Sequence, residues 1–419
     1  MKMEKAPFSS YQKLVVALLA LLQFTVVLDF MVLSPLGDIL MKSLDIVPAR
    51  FGWVVSAYAF SAGGAGILAA GFADKFDRKK LLVFFYIGFI VGTFACAMAN
   101  NYHELLVARI ITGLFGGVIG AVSMAIITDL FEPAQRGRVM GIVQMGFAAS
   151  QVLGIPVGLY FANNWGWHSS FLMIVVLALL IGITIVLKMK PVTAHLSLQS
   201  DKSPLLHFWH TLANRTYRIG FTATALLSVG GFMLMPFGSA FLVNNIHISQ
   251  EELPLVFLFS GIASIVIMPM IGKLSDRIDK FNLFAAGSLL AIIMIIVYTN
   301  LSPVPLWLII LINMILFMGI MSRVIPAVAL TTSIPEMKDR GAFMSINGSL
   351  QQMAGGIAAI SAGLIVSQPS KAAPLQHYPT LGIVVCCAIV VCAVFVYRVS
   401  VVVKKKAEEA KVPVPVVME

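Results

Sequence analysis

The most regular feature of the chain is a succession of long apolar runs separated by short polar segments. Each run covers about 20 residues, the length that an α-helix needs to cross the hydrocarbon core of a bilayer. Strands of a membrane barrel would instead alternate in polarity over about ten residues. The pattern therefore predicts an all-α membrane protein with twelve transmembrane helices. The predicted spans lie near residues 14–36, 51–73, 80–99, 103–128, 138–161, 167–188, 217–243, 252–273, 281–300, 304–331, 341–366 and 379–403.

One long polar connection divides the predicted spans into two groups of six. The first apolar run is too long for the core of a signal peptide, so it is expected to be an uncleaved span. The expected organisation is a cytoplasmic N-terminus (1–13), an N-terminal six-helix bundle (14–188), a cytoplasmic central loop (189–216), a C-terminal six-helix bundle (217–403) and a cytoplasmic tail (404–419).

Composition and charge agree with a membrane location and give the orientation. The chain is 59% hydrophobic and 11% charged, whereas soluble domains are about 25% charged. Of its 29 Lys and Arg residues, 24 fall in or beside the segments on the side of the N-terminus and 3 in the loops on the other side. Basic residues favour the cytoplasmic side. We therefore expect a multi-pass protein of the plasma (inner) membrane with both termini cytoplasmic. Because this bias accounts for the net charge of +10, no nucleic-acid partner is expected.

Two short motifs occur twice, at nearly the same offset. The turn after the second span reads "DKFDRKK" and the turn after the eighth reads "GKLSDRIDK", 202 positions later. The turn after the fourth span, "EPAQRGRVMG", is matched after the tenth by "PEMKDRGAFMS", with Arg136 and Arg340 offset by 204. These repeats predict two pseudo-symmetric bundles. Parallel repeats with the substrate between them near the membrane midplane are one known transporter plan.

With these turns the chain resembles the major facilitator superfamily over essentially its whole length. The family signature between spans 2 and 3 has the form G-x-L-x-D-R-x-G-R-K. The first copy here has Ala70, Asp74, Lys75, Arg78 and Lys79, and the second has Gly272, Leu274, Asp276 and Arg277. Both copies depart from the signature at its second glycine, where Asp77 and Asp279 stand.

The sequence of the fifth span indicates which branch of the superfamily the chain resembles. It reads "GFAASQVLGIPVG", in which Gly154, Pro156 and Gly158 are similar to the Gly-Pro motif of the drug:proton antiporter branch with twelve spans, although Ile155 separates the usual pair. The resemblance implies a monomeric secondary active transporter for proton-coupled export of a drug, sugar or metabolite by alternating access. An uptake symporter or uniporter is the alternative, and a non-transporting membrane receptor is a remote one. No enzyme activity, cofactor or metal site is expected.

The resemblance also implies a charge latch at the turn between spans 2 and 3. Arg78 is expected to pair with Asp129 at the end of span 4, and Asp74 with Arg340 before span 11. Asp276 and Arg277 form the second copy. The competing interpretation is that the basic residues only set the orientation of the chain in the membrane. It leaves the acids unexplained, because Asp and Glu contribute little to the rule that basic residues favour the cytoplasmic side.

Ionisable residues within spans usually mark transport pathways or proton relays. Asp29 in span 1 and Arg109 in span 4 fall at similar depth, so we expect a pair in which substrate and proton compete. A structural buried pair is the alternative. Arg323 in span 10 either reaches water or faces a cavity. Further cavity candidates, for which helix–helix hydrogen bonds or ordinary packing are the alternative, are Gln23, Tyr58, Gln144, Gln151, Asn313, Asn347 and Gln351.

Overall fold

The computed structural model describes residues 8–69, 75–193, 196, 204–336, 339–371 and 373–409. This part of the chain is built from α-helices, which we number α1 to α16. Their bounds are α1 Ser10–Val32, α2 Gly37–Ser43, α3 Pro48–Ala69, α4 Arg78–Met98, α5 Tyr102–Leu130, α6 Pro133–Ala149, α7 Ile155–Trp165, α8 Trp167–Lys188, α9 Pro204–Ala213, α10 Arg215–Phe232, α11 Gly238–Asn244, α12 Leu253–Arg277, α13 Lys280–Thr299, α14 Leu306–Thr331, α15 Arg340–Ile365 and α16 Tyr378–Glu409.

The prediction of an all-α membrane protein is confirmed. Eleven helical segments in the described part are long and apolar enough to cross a membrane. The remaining predicted span, the eleventh (341–366), corresponds to α15, which has 26 residues and is rich in glycine and polar side chains. We call helices α1 to α8 the first half and α10 to α16 the second half. The end of the bundle that holds Ser10 is called the inner end, and the opposite end the outer end.

Spans 1 and 7 are not the continuous helices that the sequence predicts. The first breaks between α1 and α2, and the seventh passes through a 3-10 turn, Met235–Phe237, between α10 and α11. Pro35 and Pro236 lie at the two breaks. Proline has no N–H to donate and clashes with the preceding turn, so each span ends there and restarts as a short outer helix.

Span 5 also deviates from a regular helix. A π-helical turn, Ser150–Gly154, separates α6 from α7. Pro156 follows at once and cannot donate a hydrogen bond to the carbonyl of Val152, so an extra residue in the turn relieves the mismatch. Because this turn shifts the register, residues seven apart on either side of it do not share a face as they would in a regular helix. π-turns of this kind are frequent at functional sites.

The two halves pack closely along α3 and α15. Cβ atoms at Gly52, Gly63 and Gly363 would lie within 2.9 Å of atoms on the opposite helix, so the helices meet almost backbone to backbone. Ser56 Oγ also donates to the carbonyl of Gly356 at 2.7 Å. Small residues that allow such close approach are a recurring basis of helix association in membranes.

Candidate functional site

Asp29 and Arg109 form a buried ion pair in the first half. Arg109 Nη1 lies 2.8 Å from Asp29 Oδ2, and Thr93 Oγ1 donates to Asp29 Oδ1 at 3.2 Å. The side chains of Asp29 and Arg109 are 0% and 1% exposed. The structure thus brings together the two residues that the sequence places at equal depth, and adds Thr93 from α4. A pair held this far from water interacts strongly and is screened by salt much less than a surface pair.

Aromatic rings cover the pair on the side of the second half. The guanidinium carbon of Arg109 lies 4.6 Å from the centre of the Tyr58 ring, a cation–π contact. Phe30 contacts both Tyr58 and Phe232, with ring centres 5.3 Å and 5.8 Å apart. Phe30 follows Asp29 directly in the chain and Phe232 belongs to the second half. The residue that follows Asp29 therefore lies at the interface between the halves.

The antiporter-like motif packs against α1 beside Asp29. A Cβ atom at Gly154 would lie 2.6 Å from the Leu28 side chain, and one at Gly158 would lie 2.9 Å from Val32. Ser170 Oγ donates to the carbonyl of Gly158 at 2.6 Å. These glycines let span 5 approach α1 closely and so fix the position of Asp29.

A cavity of about 290 Å³ lies between the halves and is lined mostly by the second half. Its volume is at the lower end of the range for small-molecule sites. The wall is apolar, with polar groups contributed by Gln151, Ser260, Asn313, Tyr298 and Tyr378. The hydroxyl of Tyr378 and Oε1 of Gln151 are buried without a hydrogen-bond partner. A buried polar group without a partner is costly, and both atoms belong to residues that line the cavity.

The cavity occupies the place that the ion-pair cluster occupies in the first half. The counterpart of Asp29, 202 positions later, is Gly231, and that of Tyr58 is Ser260. At the same offset Cys96 corresponds to Tyr298, while Arg109 corresponds to Asn313 at the offset of 204 found in the later spans. Each of these counterparts lines the cavity. The duplicated unit therefore carries a charged cluster in one half and, at the equivalent positions of the other half, the uncharged wall of a cavity.

The remaining cavity candidates lie in different surroundings. Gln151 and Asn313 line the cavity, and Tyr58 stacks on Arg109. Arg323 is buried, with 1% exposed, so it does not reach water in this structure. Four others are not among the lining residues: Gln23, Gln144, Asn347 and Gln351. Gln144 is exposed, while Gln151 faces the cavity. Gln144 belongs to α6, whereas Gln151 belongs to the π-helical turn that follows it.

The turn before α4 makes a compact contact at the inner end. Arg78 Nε lies 3.3 Å from Asp129 Oδ2, which joins α4 to α5 within the first half. Asp74 lies outside the described residues. Arg340, Asp276 and Arg277 are exposed on the surface.

The two aspartates that depart from the family signature are helix caps. Asp77 Oδ1 accepts from the N–H of Lys79 at 2.8 Å and from that of Val192 at 3.0 Å. Asp279 caps α13 in the same way and forms an ion pair with Lys404 at 2.8 Å. Sequence reasoning missed these roles. An aspartate directly before a predicted helix is a capping signal that could have revealed them.

A cluster at the outer end, Asp38, Lys42, Asn244 and Gln250, was also missed. We call it the outer cluster. Asp38 is 1% exposed and accepts hydrogen bonds from Lys42 Nζ at 2.8 Å, from Asn244 Nδ2 at 2.6 Å and from Gln250 Nε2. Ser239 Oγ donates to the carbonyl of Ser34 at 2.9 Å beside it. These contacts join the outer ends of the two halves. The acid and base four residues apart in α2 were the available signal.

Known proteins share both the sequence pattern and the fold. YbcL of Bacillus subtilis (strain 168), an MFS-type transporter, is 25% identical over 369 residues, which cover 88% of this chain and 92% of that protein. Multidrug resistance protein 3 of the same organism is 30% identical over 157 residues, 34% of this chain and 31% of that protein. A bacterial homolog of the human lysosomal transporter Spinster, solved in an inward-facing, unoccupied conformation, superposes with a TM-score of 0.73 at 17% identity. The superposition covers 95% of this chain and 99% of the homolog's chain.

The family profile of the Major Facilitator Superfamily matches residues 19–333 and 220–417. These two ranges together extend over most of the chain and over both halves. The twelve-helix, two-bundle architecture agrees with this match. The chain is therefore a multi-pass transporter that belongs to the Major Facilitator Superfamily.

Proposed function

We propose that this protein exports a small organic molecule in exchange for protons. It would work by alternating access in the plasma membrane, as a monomer with both termini cytoplasmic. The two moving bodies would be residues 14–188 and 217–403. The observation that carries the proposal is the buried pair of Asp29 and Arg109, 2.8 Å apart, beside a cavity formed mainly by the other half. Ionisable groups inside a membrane typically mark proton or substrate pathways.

Proton coupling would act through the arginine. When Asp29 is ionised it holds Arg109, and when it takes up a proton the ionic part of this interaction is lost. Arg109 and the Tyr58 ring stacked on it are then released toward the interface, where Phe30 touches Phe232. In a protein with two conformations that differ by a few kcal/mol in free energy, the loss of an interaction of similar strength changes the populations of the two conformations. Protonation would thereby bias the relative population of the two orientations.

The gating contacts would lie at both ends. The outer cluster joins the halves in this structure, so the substrate pathway would run from the inner end. At the inner end we assign the latch role to Asp74, Arg78, Asp129 and Arg340, with Asp276 and Arg277 as the second copy. The side chains of Arg78 and Asp129 are only 8% and 15% exposed, whereas Arg340, Asp276 and Arg277 are exposed. Exposed ion pairs contribute only about 0–1 kcal/mol each, so the latch would act through several pairs together.

Two observations favour export over uptake. The Gly154, Pro156 and Gly158 motif resembles that of drug:proton antiporters, and it packs directly on α1 beside Asp29. A relative that matches this chain over 157 residues carries the name multidrug resistance protein 3. The motif lies in the first half of the chain, which is where the ion pair lies.

The test uses everted membrane vesicles with an acidified lumen and a pH-sensitive dye. A panel of cationic drugs, sugars and organic acids is added to the wild type, to Asp29→Asn and to Asp45→Asn. Asp45 is the matched control, because it is an outer-end acid whose side chain is 80% exposed. One compound should release protons from wild-type and Asp45→Asn vesicles but not from Asp29→Asn vesicles.

Other outcomes would contradict the proposal. Proton release that survives in Asp29→Asn would exclude this carboxylate from coupling. Substrate-dependent proton movement seen only in right-side-out vesicles would indicate an uptake symporter. A radiolabelled compound that moves without any proton flux would indicate a uniporter.

A further inference from the structure

A groove of about 250 Å³ lies between α4 and α8 on the surface of the first half, apart from the cavity between the halves. Three of the residues that line it, Ile87, Ile183 and Leu187, are 56%, 55% and 73% exposed. Both helices are long and apolar enough to cross a membrane, so this surface faces lipid. The groove is therefore accessible to the acyl chains of the bilayer.

The wall of the groove suits a hydrocarbon chain. Gly182 contributes to its depth, because a Cβ atom there would already lie 3.4 Å from the Tyr86 ring and 3.6 Å from Ile90. Tyr86 is the one polar side chain among the lining residues, and its hydroxyl shares a hydrogen bond with Thr25 Oγ1 at 3.0 Å inside the protein. The rest of the wall is aliphatic and offers dispersion contacts along its length.

Lysines lie at the inner end of the groove. Lys79 and Lys80 come four and three residues before the lining residue Val83, so they share its face of α4 one turn closer to the inner end. Lys79 Nζ donates to the carbonyl of Val186 at 2.9 Å and so joins α4 to α8. Lys188 is the last residue of α8, and both it and Lys80 are exposed. The groove therefore ends in a positively charged rim.

The charge of this rim favours an anionic headgroup. Neither α4 nor α8 contains an acidic residue. Asp77, three residues before Lys80, accepts hydrogen bonds from the N–H groups of Lys79 and Val192. Lysine side chains at the end of a span extend toward the lipid headgroups, and each one near the surface strengthens the attraction to anionic lipid by about fivefold.

We propose that this groove is a binding site for one anionic phospholipid. One acyl chain would lie along the apolar wall between α4 and α8, and the phosphate would lie against Lys80 and Lys188. Lys79 would keep its contact with α8 and close the inner end of the apolar wall. The site is separate from the cavity between the halves, and its occupation requires neither proton coupling nor a particular direction of transport.

The test counts the lipids that stay bound to the purified full-length protein in detergent, by native mass spectrometry. The probes are dioleoylphosphatidylglycerol, which is anionic, and dioleoylphosphatidylcholine, which has the same chains and no net charge. The wild type should retain one phosphatidylglycerol and bind it more tightly than phosphatidylcholine. Lys80→Gln combined with Lys188→Gln should weaken phosphatidylglycerol binding by about 25-fold. Lys273→Gln is the matched control and should bind as the wild type does, because Lys273 is an exposed lysine near the inner end of α12 and not at the groove.

A second variant and a second probe separate the acyl chain from the headgroup. Gly182→Leu would fill the groove and should weaken the binding of both lipids, while glycerol 3-phosphate, a headgroup without chains, should not displace phosphatidylglycerol. Equal affinity of the wild type for the two lipids, or equal losses in Lys273→Gln and in the lysine pair, would overturn the proposal. Unchanged lipid binding in Gly182→Leu would do the same. A dimer that dissociates in Gly182→Leu would also contradict it, because a second copy of the chain would then occupy the groove.

Discussion

Lys42 Nζ lies 3.1 Å from Asn244 Oδ1, and the two residues are 202 positions apart, so they are counterparts in the two halves. The short outer helices α2 and α11, which follow the breaks at Pro35 and Pro236, bring them together. Asp38 then accepts hydrogen bonds from both residues. The proline breaks in spans 1 and 7 therefore have a structural consequence, since they turn the ends of two spans into the contact that joins the halves at the outer end.

Asp38→Asn should weaken the closure of the outer end. The amide replaces a charged acceptor of several hydrogen bonds with a neutral one, and loss of such a buried partner costs about 1–3 kcal/mol. A change of that size shifts the ratio of closed to open outer ends by roughly 5-fold to 150-fold. The measurement is the distance between spin labels on Ser43→Cys and Glu251→Cys, in a background without the native cysteines. Asp38→Asn should broaden the distribution toward longer distances.

Asp45→Asn is the matched control for that experiment. Asp45 also joins the outer ends, through Lys371 at 3.0 Å, but the two side chains are 80% and 56% exposed. Exposed pairs of this kind contribute little, so its distance distribution should match the wild type. If Asp38→Asn and Asp45→Asn behave alike, the outer cluster does not hold the outer end closed.

The Asp29–Arg109 pair should show strong coupling in thermal unfolding. Asp29→Asn and Arg109→Gln each remove one partner from a pair that is 0% and 1% exposed, which costs about 3–5 kcal/mol. The double variant removes both charges and should be markedly more stable than the sum of the two losses predicts. The check is a set of four thermal midpoints in one detergent. Additive losses would mean that the two side chains do not depend on each other.

Much of the fold follows from the sequence alone. Apolar runs of membrane-spanning length gave the helix positions to within a few residues, and the repeat at offset 202 is the same relation that places Gly231, Ser260 and Tyr298 around the cavity. The depth of Asp29 and Arg109 could be estimated because rise per residue in a helix is constant. Their contact at 2.8 Å agrees with that estimate.

Other features depend on contacts that a helix pattern does not contain. Gln151, which lines the cavity, belongs to the π-helical turn at Ser150–Gly154, and hydrophobic periodicity gives no signal for such a turn. The helix α9, Pro204–Ala213, lies in the stretch that the sequence predicts as the central loop. The outer cluster requires Asp38 to meet a residue 206 positions away. The contact of Asp38 with Lys42, four residues later in the same helix, can be predicted from the sequence, but its contact with Asn244 cannot.

Two glycines on α6 should respond oppositely to alanine. A Cβ atom at Gly146 would lie 2.3 Å from the carbonyl oxygen of Ala20, a backbone atom that cannot move aside, whereas one at Gly141 meets nothing within 4 Å. Gly146→Ala should push α1 away and lower the thermal midpoint. Gly141→Ala should leave the midpoint unchanged or raise it, since alanine is favoured over glycine in helices by about 1 kcal/mol. Equal midpoints for the two variants would contradict the close packing of α1 on span 5.

The Asp279–Lys404 pair at the inner end should make stability depend on acid pH. Lys404 Nζ, 2.8 Å from Asp279 Oδ2, holds the pKa of this carboxyl below its ordinary value. A lowered pKa in the folded state means that the pair stabilises above the ordinary pKa of Asp, about 3.9, and that this contribution is lost as pH falls further. Asp279→Asn should keep the cap of α13, because an asparagine oxygen also accepts from the helix N–H groups.

The midpoint difference between wild type and Asp279→Asn should therefore be positive from pH 7 to about pH 5 and should shrink toward pH 3. It should also shrink in about 1 M salt, where the Debye length is about 3 Å. Asp276→Asn, at an exposed acid in the same turn, is the control and should show no such trend. A difference that stays constant across this range would mean that Asp279 acts only as a helix cap and that its charge adds nothing to the inner end.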